Sequence, residues 1–386
     1  MRSRSFLLGG ALALVCLVLY TSSDLPESSR KQKESLRDAT RQIASSQHAL
    51  FIDRTKERFT DGINGEIDER EKVIVPIESR NNGTTKGFKR ERKGFDENII
   101  EIATVHEDQD LSELLKRAAT PDKTIIMTAI NDAWAAPGSL LDLFFASFHH
   151  GDRILHLLNH LVIVAMDQKA FERCKSLHPH CYFLKVDGLN FALEQSYMKG
   201  DYLEMMWRRN RFQQSILELG YNFLFTDVDI VWFRSPFPHL SQATDLIMST
   251  DFFVGDPNSL GNYPNGGLLY VKSGKNTIEF YKNWQMSREQ FPGKHEQYIF
   301  DKIKGELSAR LGVKIQFLDT AYFGGFCQHG KDLSKICSMH ANCCIGLENK
   351  LYDLRNVLED WKNYRARMKE RSFGYFSWRV PGRCIH

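Results

Sequence analysis

Two aspartates stand one residue apart in the otherwise apolar stretch "FLFTDVDIVWF" (223–233). An ionised carboxylate is costly to bury unless it is paired or binds a metal ion. We predict a buried strand at "YNFLF" (221–225), with Asp227 and Asp229 near its carboxyl end. Alternate strand residues share a face, so the two side chains would project together. Ligands of open α/β sheets bind at that end of the strands.

Paired carboxylates at such an edge favour a hard cation, Mg²⁺ or Mn²⁺, with phosphate oxygens completing its ligand shell. A D-x-D pair also occurs in helix caps and turns that bind no metal. The apolar strand that leads into this pair is what favours the metal site, because a core needs a reason to tolerate the charge.

The elements that must position the pair begin near residue 111. Buried strands are predicted at 124–130, 160–166, 181–186, 245–253 and 265–273. Helices are predicted at 111–119, 140–151, 168–177, 202–220 and 276–289. Gly220 would be the C-cap of the fourth helix. Strands that alternate with helices predict an α/β fold with a mostly parallel sheet. Uninterrupted apolar strands indicate that both faces of the sheet are covered.

Composition bounds the class of protein. The chain has 386 residues, 42% of them hydrophobic, and a net charge of +3, which is ordinary for a globular protein and does not indicate nucleic-acid binding. We interpret the basic segment 86–94 as a solvated linker. The first strand ends in "AIND", without the G-x-G-x-x-G pattern of dinucleotide-binding folds, and no G-x-x-x-x-G-K-[ST] loop is present.

The N-terminus has the pattern of a signal peptide or a signal anchor. Residues 1–5 contain two arginines, and 6–20 contain no charge. The apolar run is shorter than the usual ~20 residues of a membrane span, which thin early secretory membranes tolerate. No small-x-small cleavage site follows, so we favour an uncleaved anchor at 6–23. Residues 1–5 would then be cytoplasmic, 24–107 a lumenal stem, and 108–386 a lumenal globular domain.

Two features agree with a lumenal location. "NGT" at 82–84 is an N-glycosylation acceptor that makes Asn82 a candidate site. Of eight cysteines one lies in the apolar run, and five of the other seven follow residue 320. This distribution predicts disulfides in the C-terminal part, whose pairing the sequence leaves open. Seven is odd, so at least one thiol stays free or pairs between chains.

Several ordered motifs resemble one known family. The segment 217–237, "LELGYNFLFTDVDIVWFRSPF", resembles the D-x-D segment of GT-A glycosyltransferases. It is most similar to a plant nucleotide-diphospho-sugar transferase family that contains cell-wall xylosyltransferases and arabinosyltransferases. Segments 263–273 and 340–355 resemble later blocks of that family, and the resemblance spans 111–376. It implies a GT-A fold, a divalent cation (Mn²⁺ or Mg²⁺), a UDP-sugar donor and retention of anomeric configuration.

The resemblance implies a metal centre. Asp227 would face the donor ribose and the metal, and Asp229 would be the main metal ligand. His340 would be a further ligand, and Lys350 would contact the diphosphate. The run "HANCCIGLENK" departs from the tighter H-x-x-G-x-x-K spacing of some relatives. His329 is therefore a rival ligand, and either histidine could instead be structural.

The resemblance also implies a nucleotide site at the end of the first strand, formed by Thr128, Ala129 and Asn131. The alternative is a plain buried strand followed by a capped helix. The helix before the D-x-D strand carries three arginines, of which helical spacing allows one to reach the phosphate or the sugar. We assign that contact to Arg208, in preference to Arg209 and Arg211.

The transferred sugar would lie near Asp251, Asn265 and Gly266, although the glycine pair at 266–267 also fits a plain tight turn. Glu296 and Gln297 resemble an Asp-Gln pair near the anomeric carbon in some retaining enzymes. The glutamate in place of aspartate leaves open which side chain acts. We favour reaction on one face of the sugar over a carboxylate nucleophile, because no carboxylate stands out as that nucleophile.

The expected function is that of a Golgi-membrane glycosyltransferase, anchored once. It would move xylose, arabinose or galactose from a UDP-sugar to a cell-wall polysaccharide or glycoprotein. A metal-dependent phosphohydrolase would need further ligand runs such as GDxxDR or GNHD, and none is present. A catalytically inactive lumenal protein that binds nucleotide sugars or acts as a scaffold is the other alternative.

Overall fold

A computed structural model describes residues 110–185, 200–370, 377–379 and 381–384. The predicted anchor (6–23), the stem (24–107) and Asn82 lie outside these ranges. Within the described ranges, no helix combines the length and the apolar character that crossing a membrane requires.

Ten strands of the described part are numbered in chain order. They are β1 (Thr124–Ile130), β2 (Leu161–Ala165), β3 (Cys181–Phe183), β4 (Asn222–Thr226), β5 (Ile230–Trp232), β6 (Leu246–Phe252), β7 (Tyr263–Val271), β8 (Ile315–Phe317), β9 (Phe323–Gly325) and β10 (Ser338–His340). The predicted strand segments are confirmed, with ends that differ by a few residues.

The α-helices are numbered in the same way. They are α1 (110–118), α2 (Asp132–Ala135), α3 (Leu140–His150), α4 (Gln168–Leu177), α5 (Gly200–Glu218), α6 (Lys275–Met286), α7 (Glu296–Leu311) and α8 (Leu347–Lys369). Short 3-10 turns cover Leu155–His160 and Phe237–His239. Gly220 has φ +84°, the left-handed conformation of the predicted C-cap after α5.

The main sheet has seven strands in the order β3-β2-β1-β4-β7-β6-β8. Strand β7 runs antiparallel to both of its neighbours, and the other four pairings are parallel. The predicted α/β class with a mostly parallel sheet is therefore confirmed. Apolar side chains cover both faces of this sheet, one group packing around Phe148 and Trp232 and the other around Phe225 and Trp284. Burying each such aromatic side chain contributes roughly 1.5–3 kcal/mol.

A smaller sheet, in the order β5-β10-β9, lies beyond the carboxyl end of β4. The apolar run 223–233 therefore does not form one strand. It divides into β4 of the large sheet and β5 of the small sheet, and Asp227 and Asp229 occupy the turn between them. The predicted position at a strand end is confirmed. The predicted reason for their proximity, alternation along one strand, is wrong.

Three disulfides join cysteines of the described part, and two of them are in its C-terminal region: Cys174–Cys181, Cys327–Cys343 and Cys344–Cys384. Cys337 is the one free cysteine in those ranges, and burial raises the pKa of its thiol to about 11. The prediction of C-terminal disulfides with one thiol left over is confirmed.

Candidate active site at the turn between the two sheets

The aspartate turn is held by backbone hydrogen bonds from two directions. The N–H of Asp227 donates to the carbonyl of Gly267 on β7, at 2.7 Å. The N–H of Ala341, just after β10, donates to the carbonyl of Asp229, at 3.1 Å. The turn is thus fixed against both sheets, which gives the two carboxylates defined positions.

Two further side chains converge on Asp229. His340 ends β10, which pairs with β5 so that His340 lies opposite Ile230. Its Nε2 is 3.1 Å from Oδ1 of Asp229 and 3.8 Å from Oδ2 of Asp227. Lys350, in the first turn of α8, places Nζ 2.7 Å from Oδ2 of Asp229. One histidine and one lysine from the C-terminal part therefore meet the aspartate turn.

Asp227, Asp229 and His340 can act as one ligand set, because their ligand atoms all lie within 4.8 Å of one another. Two carboxylate oxygens and one imidazole nitrogen suit Mn²⁺, and carboxylates with phosphate oxygens suit Mg²⁺. The residues present therefore fit a divalent cation. His329, the rival ligand, is outside this group, and its buried Nε2 has no hydrogen-bonding partner among the described residues.

Burial and charge oppose each other in this cluster. Burial raises the pKa of Asp227, only partly offset by Arg209. Burial acts in the same direction on Asp229, but Lys350 and His340 hold the pKa of that carboxyl well below its usual range. Burial disfavours a charged His340, yet Asp229 raises the pKa of its imidazole. The cluster thus favours the ionised form of Asp229.

Among the three arginines of α5, Arg209 is the one whose side chain lies at the site. Its Nη1 is 2.9 Å from Oδ1 of Asp227 and its Nη2 is 2.8 Å from Oε1 of Glu296, with the guanidinium 4.6 Å from the ring centre of Phe225. Arg208, to which we assigned this contact, instead pairs with Glu204 at 3.0 Å.

The sequence did contain a signal for Arg209. Together with three apolar residues it follows the i, i+4, i+7, i+11 pattern of a buried helix face: Met205, Arg209, Phe212 and Ile216, all buried. Arg211 is exposed. An arginine on the apolar face of a helix needs buried acidic partners. The position of Arg209 on this face therefore distinguishes it from Arg208 in the sequence.

A second polar cluster surrounds Asp251, at the end of β6. Its Oδ1 accepts hydrogen bonds from the amides of Asn265 and Asn342, each at 2.8 Å. Gln297 places Nε2 3.5 Å from Oδ2 of Asp251, and its Oε1 accepts from the N–H of Gly266 at 2.9 Å. Burial raises the pKa of Asp251. Asn342 was not predicted from the sequence, and it directly precedes the disulfide-bonded Cys343 and Cys344.

The glycine pair 266–267 belongs to strand β7, so the tight-turn interpretation is wrong. At Gly267 an added Cβ would lie 2.3 Å from Cε1 of His340 and 2.9 Å from Oδ2 of Asp227. Glycine is required there because the backbone passes directly beneath the metal-ligand candidates.

The predicted nucleotide residues lie at the end of β1, which is next to β4 in the sheet. The side chain of Asn131 caps helix α2 by accepting the N–H of Trp134 at 3.1 Å, as the structural alternative predicted. Ala129 is partly exposed. The buried hydroxyl of Thr128 has no hydrogen-bonding partner among the described residues. A role for these residues in binding a nucleotide stays a prediction.

The chain is similar to several known proteins. A family model described as nucleotide-diphospho-sugar transferase matches residues 156–354. An uncharacterized protein of Arabidopsis thaliana is 46% identical over 287 residues, which cover 73% of this chain and 76% of the relative. The Arabidopsis thaliana UDP-D-xylose:L-fucose alpha-1,3-D-xylosyltransferase 3 is 33% identical over 117 residues, 29% of this chain and 30% of that enzyme.

Among solved structures, the galactosyltransferase LgtC in complex with donor and acceptor sugar analogs has a TM-score of 0.37 and 15% identity, and the match covers 62% of this chain and 95% of that chain. The family model spans more than half of the chain and contains the aspartate turn, Asp251 and His340. A phosphohydrolase is therefore the wrong class of enzyme. The chain belongs to the nucleotide-diphospho-sugar transferase family, and it is a glycosyltransferase.

Proposed function

We propose that the chain transfers a pentose, xylose in the first instance, from a UDP-sugar to a glycan, with a divalent cation bound by Asp227, Asp229 and His340. The observation that carries the proposal is the convergence of this ligand set with Lys350. The similarity to a xylosyltransferase of Arabidopsis thaliana supports xylose. Arabinose, which differs from xylose in the configuration at C4, and galactose, which has that C4 configuration and an additional hydroxymethyl group, are the other donors to test.

The charges of the site suit a departing nucleoside diphosphate. A bound Mn²⁺ supplies Lewis-acid stabilisation of the negative charge that develops on the diphosphate. Lys350 lies beside the same carboxylate and adds a cation that can move to a phosphate oxygen. Arg209 pairs with Oδ1 of Asp227 and so orients that carboxylate. These residues stabilise the leaving group without forming a bond to the sugar.

We propose that the anomeric configuration is retained because the leaving phosphate and the acceptor lie on the same face of the sugar. Glu296 is 7% exposed and its Oε1 is bound by Arg209, so it is poorly placed to attack an anomeric carbon. Gln297 and Asp251 are the polar side chains beside Gly266 at the sugar end. We assign to Gln297 and Asp251 the contacts with the sugar near its anomeric carbon, with the leaving phosphate accepting the proton of the acceptor.

A pair of exposed aromatic rings supports a glycan acceptor. Phe252 and Tyr263 are 47% and 46% exposed, and their ring centres are 5.8 Å apart. Phe252 directly follows Asp251 in β6 and pairs with Tyr263 in β7, so the backbone of this aromatic pair is next to that of the proposed sugar site. Exposed aromatic rings next to polar groups are typical of ligand-binding surfaces. A sugar ring of the acceptor can pack on this pair while its hydroxyl faces the donor.

We further propose that residues 6–23 anchor the protein in the Golgi membrane with the catalytic domain in the lumen, and that Asn82 carries a glycan. The sequence pattern supports both statements. Three disulfides in the described part are compatible with an oxidising compartment.

The experiment that tests the function measures release of UDP from UDP-xylose, UDP-arabinose and UDP-galactose by the purified full chain. The assay compares added Mn²⁺ with added EDTA, and wild type with Asp229→Ala. We expect Mn²⁺-dependent release of UDP from one of the donors. Asp229→Ala should abolish that release. Binding of UDP with Mn²⁺ but no release, with or without plant cell-wall glycans as acceptors, would show a binding protein and contradict the proposal.

A further inference from the structure

A small polar cavity lies behind Arg209, enclosed by helices α5 and α7 and strand β7. Asn210 and Gln213 line it from α5, and Glu296 lines it from α7. It has room for about one water molecule. A sugar ring is several times larger than this space, which borders Gly266 and Gln297 of the proposed sugar site.

Two of its polar groups lack a protein partner. Asn210 is 1% exposed, and neither its Nδ2 nor its Oδ1 forms a hydrogen bond within the described part of the chain. The same holds for the buried Oε2 of Glu296, although Oε1 of that carboxylate binds Arg209 at 2.8 Å. Leaving one buried polar group unsatisfied costs about 1–3 kcal/mol. Native structures rarely leave several together, so this cavity is built for a polar occupant.

A single water molecule fits the size and chemistry of the cavity. A buried water makes about three hydrogen bonds to groups that are otherwise unsatisfied. Here it can accept from Nδ2 of Asn210 and donate to Oε2 of Glu296. Both oxygens of the Glu296 carboxylate would then be occupied, one by the water and one by Arg209.

We propose that Asn210 holds a buried water molecule against Glu296 and thereby positions Arg209. Glu296 is fixed with Oε1 toward the guanidinium, and the guanidinium in turn is fixed on Oδ1 of Asp227. Asn210 is thus a positioning residue that acts on the metal-ligand turn through three other groups. The functional part of this inference rests on the proposed function, in which Asp227 binds the metal.

Two substitutions at position 210 separate this role from simple packing. Asn210→Leu fills the cavity with apolar atoms and leaves no place for the water. Asn210→Ala removes the amide but leaves space in which water can still reach Glu296. If the water matters, the affinity for UDP in the presence of Mn²⁺ falls about tenfold in Asn210→Leu and clearly less in Asn210→Ala. If Asn210 only packs, the order reverses, because Asn210→Ala creates the larger void.

The affinities are measured by titration calorimetry on the full chain, with thermal unfolding to confirm that both variants are folded. Equal affinities, or the weaker one in Asn210→Ala, would overturn the inference. A changed preference among UDP-sugars would also overturn it, since Asn210 would then contact the sugar itself. A crystal structure of the wild-type protein provides an independent measurement. A dry cavity there refutes the inference, and a water between Asn210 and Glu296 sustains it even if UDP does not bind and the proposed function fails.

Discussion

Nζ of Lys350 lies 2.7 Å from Oδ2 of Asp229, although 121 positions separate the two residues in the chain. Helix α8 brings the lysine to the aspartate turn, where it occupies a carboxylate oxygen that a metal ion would also use. In the proposed function, a divalent cation would therefore compete with Lys350 for Asp229 until a phosphate bound the lysine.

This competition predicts opposite effects of Lys350→Met on two ligands. Mn²⁺ alone should bind more tightly, because Asp229 loses its competing cation. UDP at saturating Mn²⁺ should bind about 10- to 100-fold more weakly, because a charge-assisted hydrogen bond of roughly 1.5–3 kcal/mol is lost. Titration calorimetry measures both. The control is Lys169→Met, which removes an exposed lysine from its pair with Asp132 and should change neither affinity. A parallel loss of both affinities in Lys350→Met would contradict the competition.

Neighbouring arginines on α5 provide a matched pair of substitutions. Arg209→Met leaves Glu296 buried without its cation and releases Asp227, so we expect a loss of stability of about 3–5 kcal/mol. We also expect kcat/KM for UDP release to fall by about 100-fold or more, because a partner of a metal ligand is lost. Arg208→Met breaks only a pair with Glu204 at the surface and should cost less than about 1 kcal/mol. Urea unfolding and steady-state kinetics decide between the two positions, and equal effects would show that Arg208 also belongs to the site.

If the aromatic pair Phe252 and Tyr263 binds the acceptor, substitutions there should weaken acceptor binding and leave the donor reaction unchanged. Phe252→Ala and Tyr263→Ala should raise KM for a glycan acceptor by about tenfold, on the basis of the 1.5 kcal/mol upper end of aromatic contact energies. UDP release in the absence of acceptor should be unchanged, because both rings are about half exposed whereas the metal-ligand candidate Asp229 is buried. Met286→Ala removes another exposed apolar side chain, 57% exposed at the end of α6, and serves as the control. If the substitutions slow acceptor-independent release as much as transfer, the rings serve the donor instead.

The surroundings of Asp251 predict the acid limb of the pH profile. Burial raises the pKa of this carboxyl above its ordinary range. A raised pKa means that the ionised form is lost as pH falls through a higher value than usual. If ionised Asp251 serves the transfer, kcat/KM should decline on the acid side at a pH above that of an ordinary aspartate. Asp251→Asn keeps the size of the side chain but cannot ionise. It should lower the maximal kcat/KM and remove the decline on the acid side. An acid limb that persists unchanged in Asp251→Asn would assign it to another group.

Local patterns in the sequence determined much of this protein. Apolar runs and helical spacing indicated the strands and helices, because burial of one face leaves a period that can be read directly. Gly220 marked the end of α5 for a similarly local reason, since its left-handed conformation suits glycine. The aspartate pair and the later family blocks indicated Asp227, Asp229, His340 and Lys350, and the structure brings these four side chains together.

Only the tertiary structure decided which distant residues meet. Local spacing did not show that 223–233 is shared between two sheets or that Asn342 binds Asp251. The helical period marked Arg209 as buried, but it did not identify Asp227 and Glu296 as its partners. These contacts join parts of the chain that are far apart in sequence. Their geometry depends on how strands and helices pack, and a short-range period carries no information about that packing. The pairing of the disulfides was hidden for the same reason, since cysteine spacing alone does not fix which side chains become neighbours.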